Sequence, residues 1–414
     1  MNGREERGME LAATKAIKKA GTTWLVPSQT SQGRYTVSLA ADGYRCTCPD
    51  YELRGLKCKH AFAVEFVLRR ETTPDGTVTE TRAVRVTYSQ DWRAYNAAQT
   101  TEKETFCALL RDLVGSVPEP EQKRGRPSLP IAEKLFAAAF KVYSTVSGRR
   151  FMTDLRGAAH AGHITHAPHY NSVFNVIEDA RVTPVLQDLI RRSAEPLKAV
   201  ETGFAVDSTG FGTSQFYRHF TAKYGGGEQT FRDYVKLHAC IGVKTNVITA
   251  AEIGDRDAHD GPFMARLVEA TAQTFTVARV SADKAYSSRK NLATVERLGA
   301  VPFVPFKSDA VGTSDSPMWN RLFHFFHLHR DQFLATYHER SNAESAFSAI
   351  KRKFSDSVRS KTEVAQTNEV LLKVLCHNLV CLIHVMHETG ADVVFPEFGC
   401  QNNRADAQES GSWA

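Results

Sequence analysis

The spacing of apolar and polar positions between residues 204 and 304 predicts short strands separated by turns and helices. Apolar runs or strict alternation identify five strands, at 204–207, 235–243, 247–253, 277–283 and 301–304. The first three follow one another closely, with a tight turn at 244–246, and so predict an antiparallel meander. A helix that starts at Asp260 is predicted between the third and fourth strands, and a helix over 288–298 between the fourth and fifth.

A three-stranded meander followed by helix, strand, helix, strand and helix is the order of elements in an RNase H-like domain. The pattern therefore predicts an α+β or α/β fold whose core is a mixed five-stranded sheet flanked by helices. In such a fold, acids on the first strand, the fourth strand and a late helix meet at one edge of the sheet. Asp207 ends the predicted first strand, and Asp283 ends the fourth.

The late helix is predicted over residues 337–354, where four reactive side chains share one edge. At about 100° per residue, these side chains project within roughly a 60° arc, and they are Tyr337, Arg340, Glu344 and Lys351. The neighbouring arc predicts a buried apolar face made of Ala343, Ala346, Phe347, Ile350 and Phe354. A carboxylate held beside two cations and a phenol suits an anion such as a phosphodiester better than a neutral substrate.

Asp207, Asp283 and Glu344 together predict a site for Mg²⁺ or Mn²⁺, because these ions prefer hard oxygen ligands and also accept phosphate oxygens. Two ions about 4 Å apart would activate a water or a DNA 3′-hydroxyl and stabilise the leaving oxygen. Asp283 has the alternative role of a helix N-cap. Glu339 lies on the far side of the helix, and Asp260 is interpreted as the cap of the helix that follows it.

The chain resembles the DDE transposases of bacterial and archaeal insertion sequences that have the Y-R-E-K signature, in four motifs: Asp207-Ser-Thr-Gly-Phe, Lys236-Leu-His, Asp283-Lys-Ala-Tyr and Tyr337-x2-Arg340-x3-Glu344-x6-Lys351. The resemblance covers roughly residues 126–390. It implies that the three acids bind two catalytic ions, and that Tyr337, Arg340 and Lys351 hold the terminal phosphates of the element's DNA. It further implies a homodimer that cuts the paired ends and joins them to target DNA.

The eight cysteines are too few for a disulfide scaffold, and three of them lie close to one histidine. The motif Cys46-x-Cys48-x9-Cys58-x-His60 supplies the ligands of a closed tetrahedral Zn²⁺ site. This motif resembles the SWIM zinc finger. Short strands followed by a helix over about 20–70 predict a zinc-stapled β-β-α module in which zinc is structural. Its surface suits either DNA or a protein partner.

Composition and turn-forming residues predict five regions along the chain. They are an N-terminal region with the finger (1–115), a linker (116–130), a helical DNA-binding or linking region (131–200), a catalytic domain (201–395) and a disordered tail (396–414). The linker is rich in proline, glycine and charge. Its segment Lys123-Arg-Gly-Arg-Pro127 resembles an AT-hook core, in which Arg124 and Arg126 would enter a narrow A·T-rich minor groove. A solvated flexible linker is the alternative.

Charge and hydropathy bear on partner and compartment. A net charge of +6 favours a polyanionic partner without requiring one. The amino terminus lacks the apolar core of a signal peptide. The longest apolar stretch, 370–385, contains polar and charged residues and is interpreted as a buried helix, not as a membrane span. We expect a cytoplasmic protein that associates with the nucleoid when it is bound to DNA.

Three functional hypotheses follow. The first is a metal-dependent transposase that binds the terminal inverted repeats of its element, cuts double-stranded DNA and transfers strands to a target. The second is a domesticated relative that binds DNA without cutting it, and the third is a nuclease that hydrolyses DNA without joining it. The phosphate clamps Tyr337, Arg340 and Lys351 favour the first, because anchoring a fixed DNA end needs them.

Overall fold

The computed structural model describes most of the chain, namely residues 3–14, 17–20, 22–28, 33–40, 43–72, 78–82, 91–121, 128–213, 234–255, 257–307 and 310–395. The chain divides into two compact units, Met1–Gln90 and Asp91–Ala414. The AT-hook-like residues Arg124 and Arg126 and the tail 396–414 lie outside the described residues.

The first unit contains a four-stranded antiparallel sheet in the order β1-β2-β3-β4. Its strands and the hairpin β5-β6 are Lys18–Ala20, Thr23–Pro27, Arg34–Ala40, Gly43–Cys46, Leu68–Thr72 and Val78–Arg82. Its helices α1, α2 and α3 are Gly3–Thr14, Pro49–Arg54 and Lys59–Val67. Buried and half-buried residues alternate along β2, so Trp24 and Val26 face the small core. The predicted β-β-α module is thus present, with additional strands and helices around it.

The second unit begins with five helices, α4 to α8, at Trp92–Gly115, Ile131–Ser144, Gly148–His160, Tyr170–Ile177 and Val182–Ala194. We expected the main boundary at 116–130, whereas the structure divides the chain before α4. The reason is packing: Phe106, Leu110 and Leu113 of α4 are fully buried in the core of the second unit. Glu102 of α4 also accepts hydrogen bonds from Lys353 and Tyr143, each at 2.6 Å.

The central sheet of the second unit has five strands, β7 to β11, at Gly203–Gly212, Tyr234–Gly242, Ile248–Gly254, Arg279–Ala282 and Val301–Phe303. Their order is β11-β10-β7-β8-β9. β7, β8 and β9 pair antiparallel, while β10 pairs parallel with β7 and with β11. This arrangement confirms the predicted meander and the predicted mixed sheet.

The first strand is longer than predicted, and Asp207 does not end it. Hydrogen-bond pairing with β8 continues past Asp207, which is opposite Ala239, as far as Gly212, which is opposite Tyr234. Phe211 near the end of β7 is fully buried, so the strand also gains apolar packing there. The prediction for the fourth strand was correct in this respect, because Asp283 directly follows the last residue of β10.

Six further helices, α9 to α14, flank the sheet or extend from it, at Gly261–Ala272, Arg289–Arg297, Pro317–Leu328, Arg330–Tyr337, Ser341–Phe354 and Glu363–Thr389. The single late helix predicted over 337–354 is divided by a 3₁₀ turn at His338–Arg340. Side chains at this turn bind other elements, since Glu339 pairs with Arg279 and Asn342 donates to the Val243 carbonyl. These tertiary contacts override the regular helical repeat. The predicted buried face of α13 is confirmed for all five residues.

The helix α14 has the length and apolar composition of a membrane span, but 67% of its most apolar window is buried within the protein. This confirms the prediction of a buried helix. Its polar residues serve the fold: Asn378 accepts from Ile248 N at 2.8 Å and donates to Ile248 O at 2.7 Å. One side chain thereby satisfies both backbone groups at the start of the edge strand β9.

Candidate active site and metal centre

The strands β7 and β10 bring Asp207 and Asp283 to neighbouring positions. In the parallel pairing of these strands, Ala282 is opposite Val206, so the two acids follow at the same level of the sheet. Asp207 is half-buried and accepts from Ser208 N at 2.9 Å. Asp283 accepts from Ala285 N and caps a short 3₁₀ turn. The alternative role of Asp283 as a cap is therefore real, and it coexists with a position beside Asp207.

Arg340 joins Asp207 to Glu344. Its Nη1 is 2.9 Å from Asp207 Oδ2, and its Nη2 is 3.0 Å from Glu344 Oε1. The arginine side chain is 20% exposed, whereas that of Glu344 is 64% exposed. Arg340 also lies 5.8 Å from the centre of the Tyr337 ring. The 3₁₀ turn thus delivers the cation to the sheet edge, and α13 delivers the third carboxylate.

The electrostatics of Asp207 reflect this crowding. Burial raises the pKa of Asp207, and the neighbouring charges of Asp283 and Glu344 raise it further, while Ser208 N and Arg340 act in the opposite direction. The net pKa shift of Asp207 is upward, which means that its surroundings disfavour its charged form. Among the described residues the three carboxylates do not converge into a closed ligand set as the cysteines do, and Arg340 lies between two of them. A divalent cation in this place would relieve the repulsion between the carboxylates.

An open groove of about 570 Å³ runs over Asp207 and Glu344. Lys351 lines it from α13, with its ammonium 5.5 Å from the ring centre of Phe211. Burial lowers the pKa of Lys351. The remaining lining residues are Ser208, Thr209, Phe347, Ser348, Arg352 and Asp356. The structure therefore brings Tyr337, Arg340, Glu344 and Lys351 to the neighbourhood of Asp207 on β7, although they do not lie on one continuous helix.

Glu339, the competitor of Glu344, is directed elsewhere. Its carboxylate pairs with Arg279 Nε at 2.8 Å. Arg279 opens β10, three residues before the end of that strand, and Asp283 follows the strand's other end. Glu339 is thus engaged in an ion pair at the opposite end of β10 from Asp283, in agreement with the prediction that it lies away from the reactive edge.

A polar network beneath the site was missed by reasoning from the sequence. Lys236 Nζ lies 2.7 Å from Asp260 Oδ1 and donates to the Ala258 carbonyl at 2.9 Å. Ser208 Oγ donates to the same Asp260 oxygen at 3.2 Å. Asp260 occupies the N-cap position of α9, as predicted, but its side chain makes no capping hydrogen bond. Its carboxylate instead supports the residue that follows Asp207.

The sequence signals of this network were the charged Lys236 within a largely apolar strand and the acid Asp260 before a helix, but nothing in the sequence paired them. His238, two residues after Lys236, is fully buried and stacks on the Phe263 ring at a centroid distance of 3.7 Å. Burial lowers the pKa of His238 to about 4, so the imidazole is neutral at physiological pH. It serves as a packing group between β8 and α9, and no catalytic step is assigned to it.

The first unit gathers its four predicted zinc ligands into one cluster. The ligand atoms of Cys46, Cys48, Cys58 and His60 all lie within 4.8 Å of one another, and all four residues are buried. Cys46 ends β4, Cys48 precedes α2, and Cys58 immediately precedes α3, which carries the histidine. The predicted placement at a strand end and a helix start is confirmed.

The chemistry of the cluster fits zinc. A hydrogen bond from Cys46 lowers the pKa of Cys58, and one from His60 acts in the same direction. Nε2 of His60 is buried and has no hydrogen-bond partner among the described atoms. The Tyr35 ring packs on the imidazole with the ring centres 4.6 Å apart. Three sulfurs and one imidazole form a closed structural set that leaves no position for a substrate.

Comparison with known families agrees with both sites. Residues 198–379 match the family model described as Transposase DDE domain, and residues 35–68 match the model described as SWIM zinc finger. The first match contains the whole sheet edge with its three acids, and the second contains all four cluster residues. No curated protein matches the chain at a significant level.

Proposed function

Since the chain carries a transposase DDE domain and an N-terminal SWIM zinc finger, we propose that it is a metal-dependent transposase of an insertion sequence. It binds the ends of its element, cuts DNA there and transfers the freed 3′ ends to a target. The observation that carries this proposal is the juxtaposition of Asp207 with Glu344 through Arg340, in a groove that also contains Lys351. The nature of these groups suits a phosphodiester.

The proposed catalytic ligands are Asp207, Asp283 and Glu344. Two bound Mg²⁺ or Mn²⁺ ions would activate the attacking oxygen and stabilise the leaving oxygen of an in-line displacement. The protein's part is to hold the carboxylates on rigid elements: Asp207 in the middle of a central strand, and Glu344 in the first turn of α13. Arg340 forms ion pairs with two of these carboxylates. A phosphate or a metal ion that binds here must therefore replace at least one of the two ion pairs.

Tyr337, Arg340 and Lys351 are the proposed contacts to the terminal phosphates. The partly buried Arg340 suits bidentate binding of phosphate oxygens, and the lysine contributes a point charge inside the groove. Arg124 and Arg126 of the linker would add minor-groove contacts. The complex would be a homodimer on paired ends, acting in the cytoplasm on chromosomal DNA. The zinc finger would contribute a surface for DNA or for a protein partner.

The decisive experiment is cleavage of linear DNA that carries the element's ends, with Mg²⁺ or Mn²⁺ added to zinc-loaded protein. We expect metal-dependent nicking at the element boundary and joined products. Glu344→Gln should abolish both, because the third ligand loses its charge, and Glu339→Gln should retain both, since that residue pairs with Arg279. The two substitutions are matched in chemistry and lie five residues apart.

The products separate the alternatives. Cleavage without joined products would favour a nuclease, and specific binding without cleavage would favour a relative that only binds DNA. Full activity of the Glu344→Gln protein would remove this residue from the catalytic set and would contradict the proposed mechanism.

A further inference from the structure

A second cavity of the catalytic unit, of about 300 Å³, is lined in part by the loop that follows α13. Neighbouring residues of this loop face different cavities, because Asp356 lines the catalytic groove and Ser357 lines the second cavity. The loop is fixed to β7: Gly212 N donates to Asp356 O at 3.0 Å, and Val358 N donates to Gly212 O at 2.9 Å. We call this second space the α5 cavity, since residues 141, 142 and 145–148, at and just beyond the end of α5, form one wall.

The α5 cavity contains a largely buried cation that has no direct ion-pair partner among the described residues. Lys141 is 8% exposed, and among the described residues no hydrogen bond or ion pair engages its ammonium group. A buried charge without a partner is costly, so proteins rarely keep one without a use for it. Arg359 lines the same cavity, and within the described chain its guanidinium has no ion-pair partner. Burial lowers the pKa of Lys141 and the positive charge of Arg359 lowers it further, while the carboxylate of Glu369 acts in the opposite direction.

The other charged groups nearby are already used by the loop. Glu369 accepts from Arg359 N at 3.0 Å and from Ser360 N at 2.9 Å, and lies 3.8 Å from Lys373 Nζ. Lys373 in turn donates to the Ser357 carbonyl at 2.6 Å. Glu178 lines the cavity but is exposed to solvent. The carboxylate of Glu369 therefore holds the loop backbone, and a binding capacity for an anion remains at Lys141 and Arg359.

The rest of the wall is apolar and is formed by Val142, Val146, Phe174, Ile177 and Phe354. An inorganic anion alone would leave this surface without a partner, whereas the sugar of a nucleotide would cover it. Lys361 is exposed and adds a further positive charge to the lining. The combination of two unpaired cations and an apolar wall matches a phosphodiester with its deoxyribose.

We propose that the α5 cavity binds one nucleotide of the DNA strand that continues from the catalytic groove, with its phosphate between Lys141 and Arg359. This proposal rests on the proposed function, because it assumes that DNA occupies the groove. The shared loop 355–361 is what connects the two sites: it bounds the groove at Asp356 and the cavity at Ser357. The strand would therefore be held at a second point beyond the reacting phosphate.

The test is the salt dependence of DNA binding by full-length, zinc-loaded protein, without added Mg²⁺ or Mn²⁺. A fluorescently labelled duplex that carries the element's end is titrated at several KCl concentrations. We expect Lys141→Met to reduce the slope of log affinity against log salt by about 0.9, the value for one phosphate contact. Arg359→Gln should have a similar effect. Lys198→Gln, which removes an exposed charge outside both cavities, should leave the slope unchanged.

Thermal unfolding separates binding from a structural role. Lys141→Met removes a largely buried charge that has no direct ion-pair partner and keeps an apolar chain of similar length, so its unfolding midpoint should be equal to or above that of the wild type. A lowered midpoint together with an unchanged slope would mean that Lys141 only supports the fold, and would overturn the proposal. Unchanged slopes in both variants would overturn it as well. Failure of the wild type to bind the duplex at any salt concentration would instead contradict the proposed function.

Discussion

The two units of this chain each contain a candidate metal site, and the two sites differ in how far the protein assembles them by itself. In the first unit, the ligand atoms of the four cluster residues lie within 4.8 Å of one another and are buried. In the second unit, Asp207 and Glu344 are both bound to Arg340, and the Glu344 side chain is 64% exposed. One site is closed around a position for its ion, and the other is kept open.

The difference follows from what supports each site. Among the described residues of the first unit, the main buried cluster has eight members, and three of them are the cysteines Cys46, Cys48 and Cys58. We expect such a unit to depend on its metal for stability. In the second unit, Asp207 lies within the central strand β7 and Asp283 follows β10, and neither belongs to the hydrophobic core. That core tolerates repulsion between charges, which is a common feature of catalytic sites.

Removal of zinc should unfold residues 35–68 and leave the second unit folded. The apparent free energy of zinc binding in small fingers is about 10–16 kcal/mol, which exceeds the stability of such a core. Hydrogen exchange with and without a zinc chelator measures the effect. Amides of α3 should lose protection, while those of β7 and β8 keep theirs.

The control is the Cys107→Ser protein, because Cys107 is a buried cysteine of α4 outside the cluster. It should respond to chelation as the wild type does, whereas Cys58→Ser should show an unprotected α3 even with zinc present. Full protection of α3 after chelation would mean that the cluster is not a structural zinc site.

Arg340 tests whether the open site is held by a stand-in cation. In Arg340→Gln, the carboxylates of Asp207 and Glu344 lose their compensating charge, so Mn²⁺ should bind more tightly in the absence of DNA. Affinity for the element's end should fall about 10- to 100-fold, which corresponds to one lost charge-assisted hydrogen bond of about 1.5–3 kcal/mol. Calorimetric titration with Mn²⁺ and DNA-binding assays measure the two effects.

Arg279→Gln is the matched control for Arg340→Gln. Arg279 pairs with Glu339 at 2.8 Å, so its loss should change neither Mn²⁺ affinity nor DNA affinity appreciably. Equal Mn²⁺ affinities of the wild type and Arg340→Gln would show that the arginine does not compete with the ion.

Much of both sites could be predicted because the determining signals are local in the sequence. The spacing of Cys46, Cys48, Cys58 and His60 predicted the cluster, and the apolar repeat of α13 predicted its buried face. Strand order could be inferred from the succession of elements. The apolar patterns depend on the side-chain periods of about 2 residues in strands and 3.6 in helices. Neither these patterns nor the spacing of the zinc ligands requires knowledge of the partner element.

What could not be predicted depends on partners that are distant in sequence. Asp207 lies in mid-strand because β8 continues to pair beyond it, and no pattern within β7 states how far its neighbour extends. The 3₁₀ turn before α13 coincides with ion pairs of Glu339 and Arg340 to other elements. Lys236 and Asp260 meet only after a strand and a helix start have folded together.

The open site is supported by the network of Lys236, Asp260 and Ser208, whereas the zinc cluster is held by its own ligands. Asp260→Ala removes the acceptor of both Lys236 and Ser208, next to Asp207. We expect a 10- to 100-fold loss of cleavage rate, typical of residues that orient metal ligands. Asp260→Glu should recover part of that loss. Asp255→Ala, at an exposed position of the same segment, should retain the rate.

A positioning role would also change the metal dependence of cleavage. The Asp260→Ala protein should need a higher Mn²⁺ concentration for half-maximal rate, since Asp207 would be less well oriented, while its affinity for DNA stays close to that of the wild type. An unchanged metal dependence combined with a lowered unfolding midpoint would indicate that the network supports only the fold.

The smallest expected effect concerns the stability cost of keeping Asp207 charged. Burial and the neighbouring acids raise the pKa of Asp207 above its ordinary value of 3.8, so the charged form destabilises the folded state. Asp207→Asn should therefore increase the free energy of unfolding, by about 0.5–2 kcal/mol, while it abolishes cleavage. Asp255→Asn, at an exposed position, should leave the stability unchanged.

The dependence of this gain on pH has a defined sign. A group whose pKa is raised in the folded protein stabilises it fully only below the unfolded pKa, and that contribution is lost as pH rises through the folded pKa. The advantage of Asp207→Asn should thus be absent below about pH 4 and should grow to its full size above the raised pKa of the folded protein. Denaturant unfolding of both proteins at pH 4 and at pH 7 measures it. If the wild type is instead the more stable of the two at pH 7, the Arg340 ion pair outweighs burial and repulsion. The charge of Asp207 would then be compensated without metal ions, and the two sites would not differ in this respect.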